Sequence, residues 1–99
     1  MISTRFGGFQ IKFVNGYTIS VFNGYGSYSE NQFKDEIFET LRDLKIGDEC
    51  VSKDCEVAII YKNKFCTNKF IETDDRVKGY ISADELADLI INVKNAEKI

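Results

Sequence analysis

There is no histidine anywhere in these 99 residues, and no proline or tryptophan either. The missing imidazole removes the commonest general base, the commonest zinc ligand and every Ser-His or Cys-His nucleophile pair. Catalysis would have to run on Asp, Glu, Lys, Tyr or Cys, and nothing in their spacing recommends it. Cysteine is sparse. Cys50, Cys55 and Cys66 are an odd number, which fits reduced thiols better than a disulfide framework. No apolar run approaches the ~20 residues that a membrane-spanning helix needs, and Met1-Ile2-Ser3-Thr4-Arg5 lacks the apolar centre of a secretory signal. The expectation is a cytoplasmic protein with no membrane contact.

Basic charge is also short. Residues 1–28 hold Arg5 and Lys12 and no acid, residues 29–56 hold nine acids against four bases, and residues 57–99 hold seven of each. A stripe of lysine and arginine suited to nucleic acid is missing, so direct DNA binding is not expected. The acidic middle suits a solvated helix face, or a partner with a basic surface. At 43% hydrophobic and 29% charged, the chain has the balance of one globular domain spanning residues 1–99.

What is present is led by Phe9 to Phe22, where Asn15-Gly16 separates two runs of alternating apolar and polar residues. This is a strong hairpin signal. A two-residue turn would set Val14 opposite Tyr17 and Phe13 opposite Thr18, mixing apolar with polar on both faces. A three-residue loop, Val14-Asn15-Gly16 with Gly16 left-handed, sets Phe13 opposite Tyr17, Ile11 opposite Ile19 and Phe9 opposite Val21. That register gathers six apolar side chains on one face, so the bulged turn is predicted.

Asn23 to Ser29 reads as a loop of turn residues and tyrosines. Ser29-Glu30-Asn31-Gln32 has the form of a capping box, and Phe33, Ile37, Leu41 and Leu44 follow at helical spacing until Gly47, predicting a helix over 29–46. Glu56 to Tyr61 reads as a central strand, Lys62-Asn63-Lys64 as a turn, and Phe65-Cys66-Thr67 as the start of the partner strand, with two loop lengths open. Val77 to Ile81 suits a short strand. Ser82-Ala83-Asp84-Glu85 is a second capping box, ahead of a helix with Leu86, Leu89, Ile90 and Val93 as its apolar stripe. The expected fold is α+β, an antiparallel sheet of about four to five strands in two hairpins with two helices packed on it, in the order β-β-α-β-β-(β)-α.

Three groups could carry chemistry. In the loop, Gly24 and Gly26 let a ligand approach the backbone, Tyr25 and Tyr28 could stack on it, and Asn23 and Ser27 could bond to its edges. A connection whose tyrosines pad the core edge explains the same residues. On the predicted first helix, Glu36, Glu39 and Asp43 form an acidic partner-binding face. The three cysteines would need a carboxylate to complete a zinc site, and packing accounts for Cys55 and Cys66 better. Glu72, Asp74 and Asp75 lack the spacing and glycine of a calcium loop. No metal and no cofactor is expected.

The run Gly8-Phe9-Gln10-Ile11-Lys12-Phe13, with Asn15-Gly16-Tyr17-Thr18-Ile19-Ser20-Val21, resembles the opening of small, mostly uncharacterised proteins encoded by bacteriophages and prophages. Ser52 to Tyr61, Gly79-Tyr80-Ile81-Ser82 and the closing helix extend the resemblance, and the acidic stretch around residues 30 to 47 departs from it. The resemblance supplies no catalytic residues. It implies a phage origin and no mechanism. By analogy with small phage accessory proteins, which commonly act by binding, the expectation is a non-enzymatic inhibitor of a bacterial defence system that binds a host protein in the host cytoplasm. The alternatives are a sponge for a nucleotide signal at loop 23–29 and a small structural or regulatory phage protein. The wide apolar face of the first hairpin allows a homodimer.

Overall fold

A computed structural model describes residues 1–32 and 49–97. The predicted helix over 29–46, with Glu36, Glu39 and Asp43, lies outside the described residues from Phe33 onward. The described elements are β1 (Ile2–Thr4), β2 (Gly8–Lys12), β3 (Tyr17–Phe22), β4 (Cys50–Ser52), β5 (Asp54–Tyr61), β6 (Lys64–Phe65), β7 (Lys78–Ser82) and α1 (Ala83–Lys94), with a 3-10 turn at Thr67–Lys69. The architecture is α+β and every strand pairing is antiparallel.

The first hairpin adopts the bulged turn. Phe9 pairs with Val21 and Ile11 with Ile19, while the Phe13 amide donates to the Tyr17 carbonyl at 2.8 Å. Gly16 takes φ +96°, a conformation glycine reaches without a Cβ clash. This register puts Tyr17, Ile19 and Val21 on one face, all buried. β3 then pairs with β5, setting Ile19 against Ile59 and Val21 against Val57. β5 is buried on both parities, as befits a central strand.

The helix α1 covers that face with Leu86, Leu89 and Val93. Its capping box closes as expected. The Glu85 amide donates to Ser82 Oγ at 3.2 Å, and Glu85 Oε1 accepts from the Ser82 amide at 3.2 Å. These bonds hold the Glu85 carboxyl below its ordinary pKa. At the other end Asn15 docks the hairpin tip onto the helix. Its Nδ2 donates to the carbonyls of Val93 at 2.8 Å and Ala96 at 3.0 Å, and its Oδ1 accepts from the Tyr17 amide at 3.1 Å. The amide thus adds a hydrogen bond to the Val93 carbonyl, which also accepts from the Ala96 amide, and reaches Ala96 just past the helix end.

The structure settles one open register, corrects one strand and adds a sheet. The second hairpin closes through two left-handed residues, Lys62 (φ +50°) and Asn63 (φ +65°), pairing Tyr61 with Lys64. This resolves the open register in favour of a type I′ turn. The partner strand stops at Phe65, short of Thr67. Thr67 Oγ1 accepts from the Ile59 amide at 2.9 Å, replacing the backbone bond that a longer strand would have made. Finally, β1 and β4 form a two-stranded sheet of their own, read from neither sequence segment. No helix among the described residues is long and apolar enough to cross a membrane.

A Cβ at position 16 would lie 2.9 Å from Tyr61 Cε2, at a φ that side chains rarely adopt. Gly16→Ala should therefore destabilise the domain by about 1–3 kcal/mol, and Asn15→Ala by about 1–2 kcal/mol through the lost carbonyl contacts. Urea unfolding monitored by circular dichroism measures both.

Candidate functional site

The glycine and tyrosine loop leaves the end of β3 and turns its polar side chains inward. Asn23 is 0% exposed. Its Oδ1 accepts from Thr4 Oγ1 at 2.6 Å, and its Nδ2 donates to the Ile2 carbonyl at 3.1 Å and to Ser52 Oγ at 3.0 Å. One amide thereby ties the two-stranded sheet to the larger one. Ser27 Oγ donates to the Gly24 carbonyl at 2.6 Å and shares a hydrogen bond with Ser29 Oγ at 2.7 Å. Asn31 Nδ2 donates to the Asn23 carbonyl at 2.6 Å. Among the described residues, every buried side-chain polar atom has a partner. Asn23 and Ser27 therefore serve the fold, and Gly24 is buried with them.

The outward side of the same loop is different. Tyr28 is 44% exposed, Gly26 is exposed and Tyr25 is half-buried. The Tyr28 carbonyl accepts from the Tyr80 amide at 2.8 Å. Across β5 and β7 the register shifts: Cys55 pairs with Ile81 and Val57 with Lys78, leaving Gly79 and Tyr80 together opposite Glu56. The bulge brings Gly79 so close to Tyr28 that a Cβ there would lie 2.4 Å from Tyr28 Cβ, so position 79 has no room for a side chain. Tyr80 takes φ +57°, and its ring is 55% exposed. Its hydroxyl bonds to Gln32 Oε1. Bulges re-aim side chains, and a tyrosine held left-handed is a strained residue of the kind that clusters at binding surfaces.

Tyr80 was not among the sequence candidates. The signal was there in Gly79, since a glycine inside a short strand often marks a bulge or a close backbone approach. Carboxylates surround the Tyr28–Tyr80 edge. Glu56 Oε1 accepts from the Tyr28 amide at 3.3 Å, Asp54 Oδ1 from the Glu30 amide at 2.7 Å, and Glu30 Oε1 from the Lys53 amide at 2.8 Å.

A second concavity, of about 400 Å³, opens at the tip of the β5–β6 hairpin and is lined by Tyr61, Lys62, Lys64, Phe65 and Cys66. Lys62 Nζ lies 5.5 Å from the centroid of the Tyr61 ring. Two of the cysteines have raised thiol pKa values. Burial, with Asp54 and Glu56 beside it, pushes the Cys55 thiol up to about 12. Burial also raises Cys66, against the opposing charge of Lys69. The Cys55 thiol therefore carries almost no thiolate at neutral pH. No group of three or more metal-ligating side chains gathers among the described residues.

Truncating the two kinds of loop residue should give opposite results. Asn23→Ala strands the buried Thr4 hydroxyl and the Ile2 carbonyl, which should cost about 2–4 kcal/mol. Tyr28→Ala should lie within about 1 kcal/mol of the unsubstituted protein. Thermal melts of the two variants separate the structural side of the loop from its exposed side.

No family model matches this chain, and no curated protein or solved structure does.

Proposed function

We propose that this chain is a non-enzymatic capture protein, of the phage accessory type that blocks a bacterial defence component by occupying its surface. The observation that carries this reading is the exposed Tyr28–Tyr80 pair, the second ring being held outward by a left-handed backbone at the bulge. Tyrosine offers a large rigid contact with one polar end, which is why it is enriched at recognition surfaces. With Glu30 exposed and Glu56 half-buried beside the pair, the matching partner is a basic protein surface, met by cation–π and charge contacts. The unpaired Cys50, Cys55 and Cys66 support a reducing compartment such as the bacterial cytoplasm.

The test uses Tyr80→Gly. Glycine relaxes the left-handed position, so this variant should be as stable as the parent or up to about 1 kcal/mol more stable. It should nonetheless lose a defined host partner in affinity capture at low salt, as should Tyr28→Ala. If the glycine variant retains the partner, this edge is not the contact surface.

A nucleotide-capturing role is the second reading, and the β5–β6 hollow favours it. Its volume falls within the ~300–1,000 Å³ usual for small-molecule sites. Two rings, Tyr61 and Phe65, can stack on a base, and Lys62 and Lys64 can meet a phosphate. Asn23 and Ser27 are already engaged within the fold, so this hollow suits the role better than loop 23–29. A ligand present at a hundred times its Kd stabilises by about 2.7 kcal/mol. Thermal-shift screening with cyclic and adenine nucleotides should raise Tm, and Lys62→Ala with Lys64→Ala should abolish the rise. The reading fails if no nucleotide moves the melt.

A further inference from the structure

Behind the β6 strand lies a separate hollow of about 360 Å³, lined by Phe65, Thr67, Asn68, Asp74, Asp75 and Arg76. Its floor is fixed. Thr67 is buried, and its hydroxyl accepts from the Ile59 amide and donates to the Arg76 carbonyl at 2.6 Å. Asp75 Oδ1 accepts from the Arg76 amide at 2.7 Å, which holds the 74–76 backbone against that floor. The Arg76 guanidinium lies 5.6 Å from the centroid of the Phe65 ring, a cation–π distance.

Arg76 and the two aspartates are neighbours in sequence, yet among the described residues no ion pair joins the guanidinium to either carboxylate. One hollow thus presents a cation and an anion at separate places, beside a ring that is 49% exposed. A molecule carrying both charges would complement it better than either ion alone. We infer that this hollow is a binding site for a small zwitterion, an apolar α-amino acid. Its carboxylate meets Arg76 as a paired hydrogen-bond acceptor, its ammonium meets Asp74, and its side chain lies along Phe65. The volume, near the lower end of the range for ligand pockets, suits an amino acid better than a larger metabolite. Phe65 lines both this hollow and the one at the hairpin tip, while the Tyr28–Tyr80 edge and the two lysines lie outside this hollow.

The experiment is an amide-resolved NMR titration of the unsubstituted protein with three probes: L-phenylalanine, N-acetyl-L-phenylalanine and L-phenylalaninamide. Saturable shifts at Thr67, Asn68, Asp75 and Arg76 are expected with the free amino acid, and affinity about tenfold weaker for each blocked form, which lacks one charge. Asp74→Asn and Arg76→Gln should each weaken L-phenylalanine by about tenfold, with the resonances of Ile19 and Val21 unmoved to show an intact core. No saturable shift at millimolar L-phenylalanine overturns the assignment. So does equal binding of the acetylated or amidated probe, a comparison that needs no variant to fold.

Discussion

The structure depends on which residues of the first hairpin stand opposite one another. Side chains alternate faces along a strand, so a slip of one position would send Tyr17, Ile19 and Val21 away from α1. Gly16 prevents that slip, because its left-handed backbone closes a three-residue loop in which Phe13 and Tyr17 exchange a hydrogen bond. Once β3 is set, β5 is set with it, residue for residue from Tyr17–Tyr61 to Phe22–Glu56. The same turn then reaches the helix. Asn15 joins the hairpin tip to the carbonyls that end α1, so strand register and helix docking are two consequences of one loop. Tyr17 extends the link, its hydroxyl accepting from Lys69 Nζ at 2.7 Å while its ring packs edge-on against Phe70.

A different chemistry holds the small sheet to the large one. There the contacts are the amides of Asn23 and Asn31 and the hydroxyls of Thr4, Ser27, Ser29 and Ser52, all buried. Hydrogen bonds are directional, so this network fixes one orientation of β1 and β4 relative to β3, where apolar packing would tolerate several. Desolvating so many polar groups is unfavourable unless each finds a partner, and here each does. A loop rich in asparagine, serine and glycine therefore need not be a ligand site. Its polarity can be consumed inside the molecule, leaving only its tyrosines to face outward.

The sequence was most legible where chemistry is local. The Asn15-Gly16 turn, the Ser82–Glu85 capping box and the Leu86, Leu89, Val93 stripe each follow from residues close together in the chain, and each stands in the fold as expected. It was least legible where a partner lies far away. β1 pairs with β4 across more than forty residues, and no pattern within Ile2-Ser3-Thr4 announces that. Likewise Asn23 and Ser27 looked like ligand groups because their actual partners, Thr4, Ile2 and Ser52 for Asn23 above all, are invisible to a local reading. The end of β6 turned on the single hydroxyl of Thr67. For the candidate site, the sequence supplied Tyr28 but missed Tyr80, since the bulge sits where Gly79 meets Tyr28, a residue about fifty positions away in the chain.

That contact also separates Tyr80 from the other strained positions. Three described residues besides glycine have left-handed backbones: Lys62, Asn63 and Tyr80. The first two are accounted for by geometry, because a two-residue hairpin turn requires positive φ at both positions. Tyr80 sits in no such turn. A glycine stands immediately before it, but Gly79 is needed without a side chain because Tyr28 presses on its Cα. The left-handed conformation thus falls on the next residue, where glycine would be the low-energy choice and the chain carries an exposed tyrosine instead. Among the described residues its hydroxyl bonds to Gln32, and more than half of the side chain is exposed. An aromatic at a position that costs backbone energy, on a surface where its ring meets solvent, is the feature on which the proposed role as a contact surface rests.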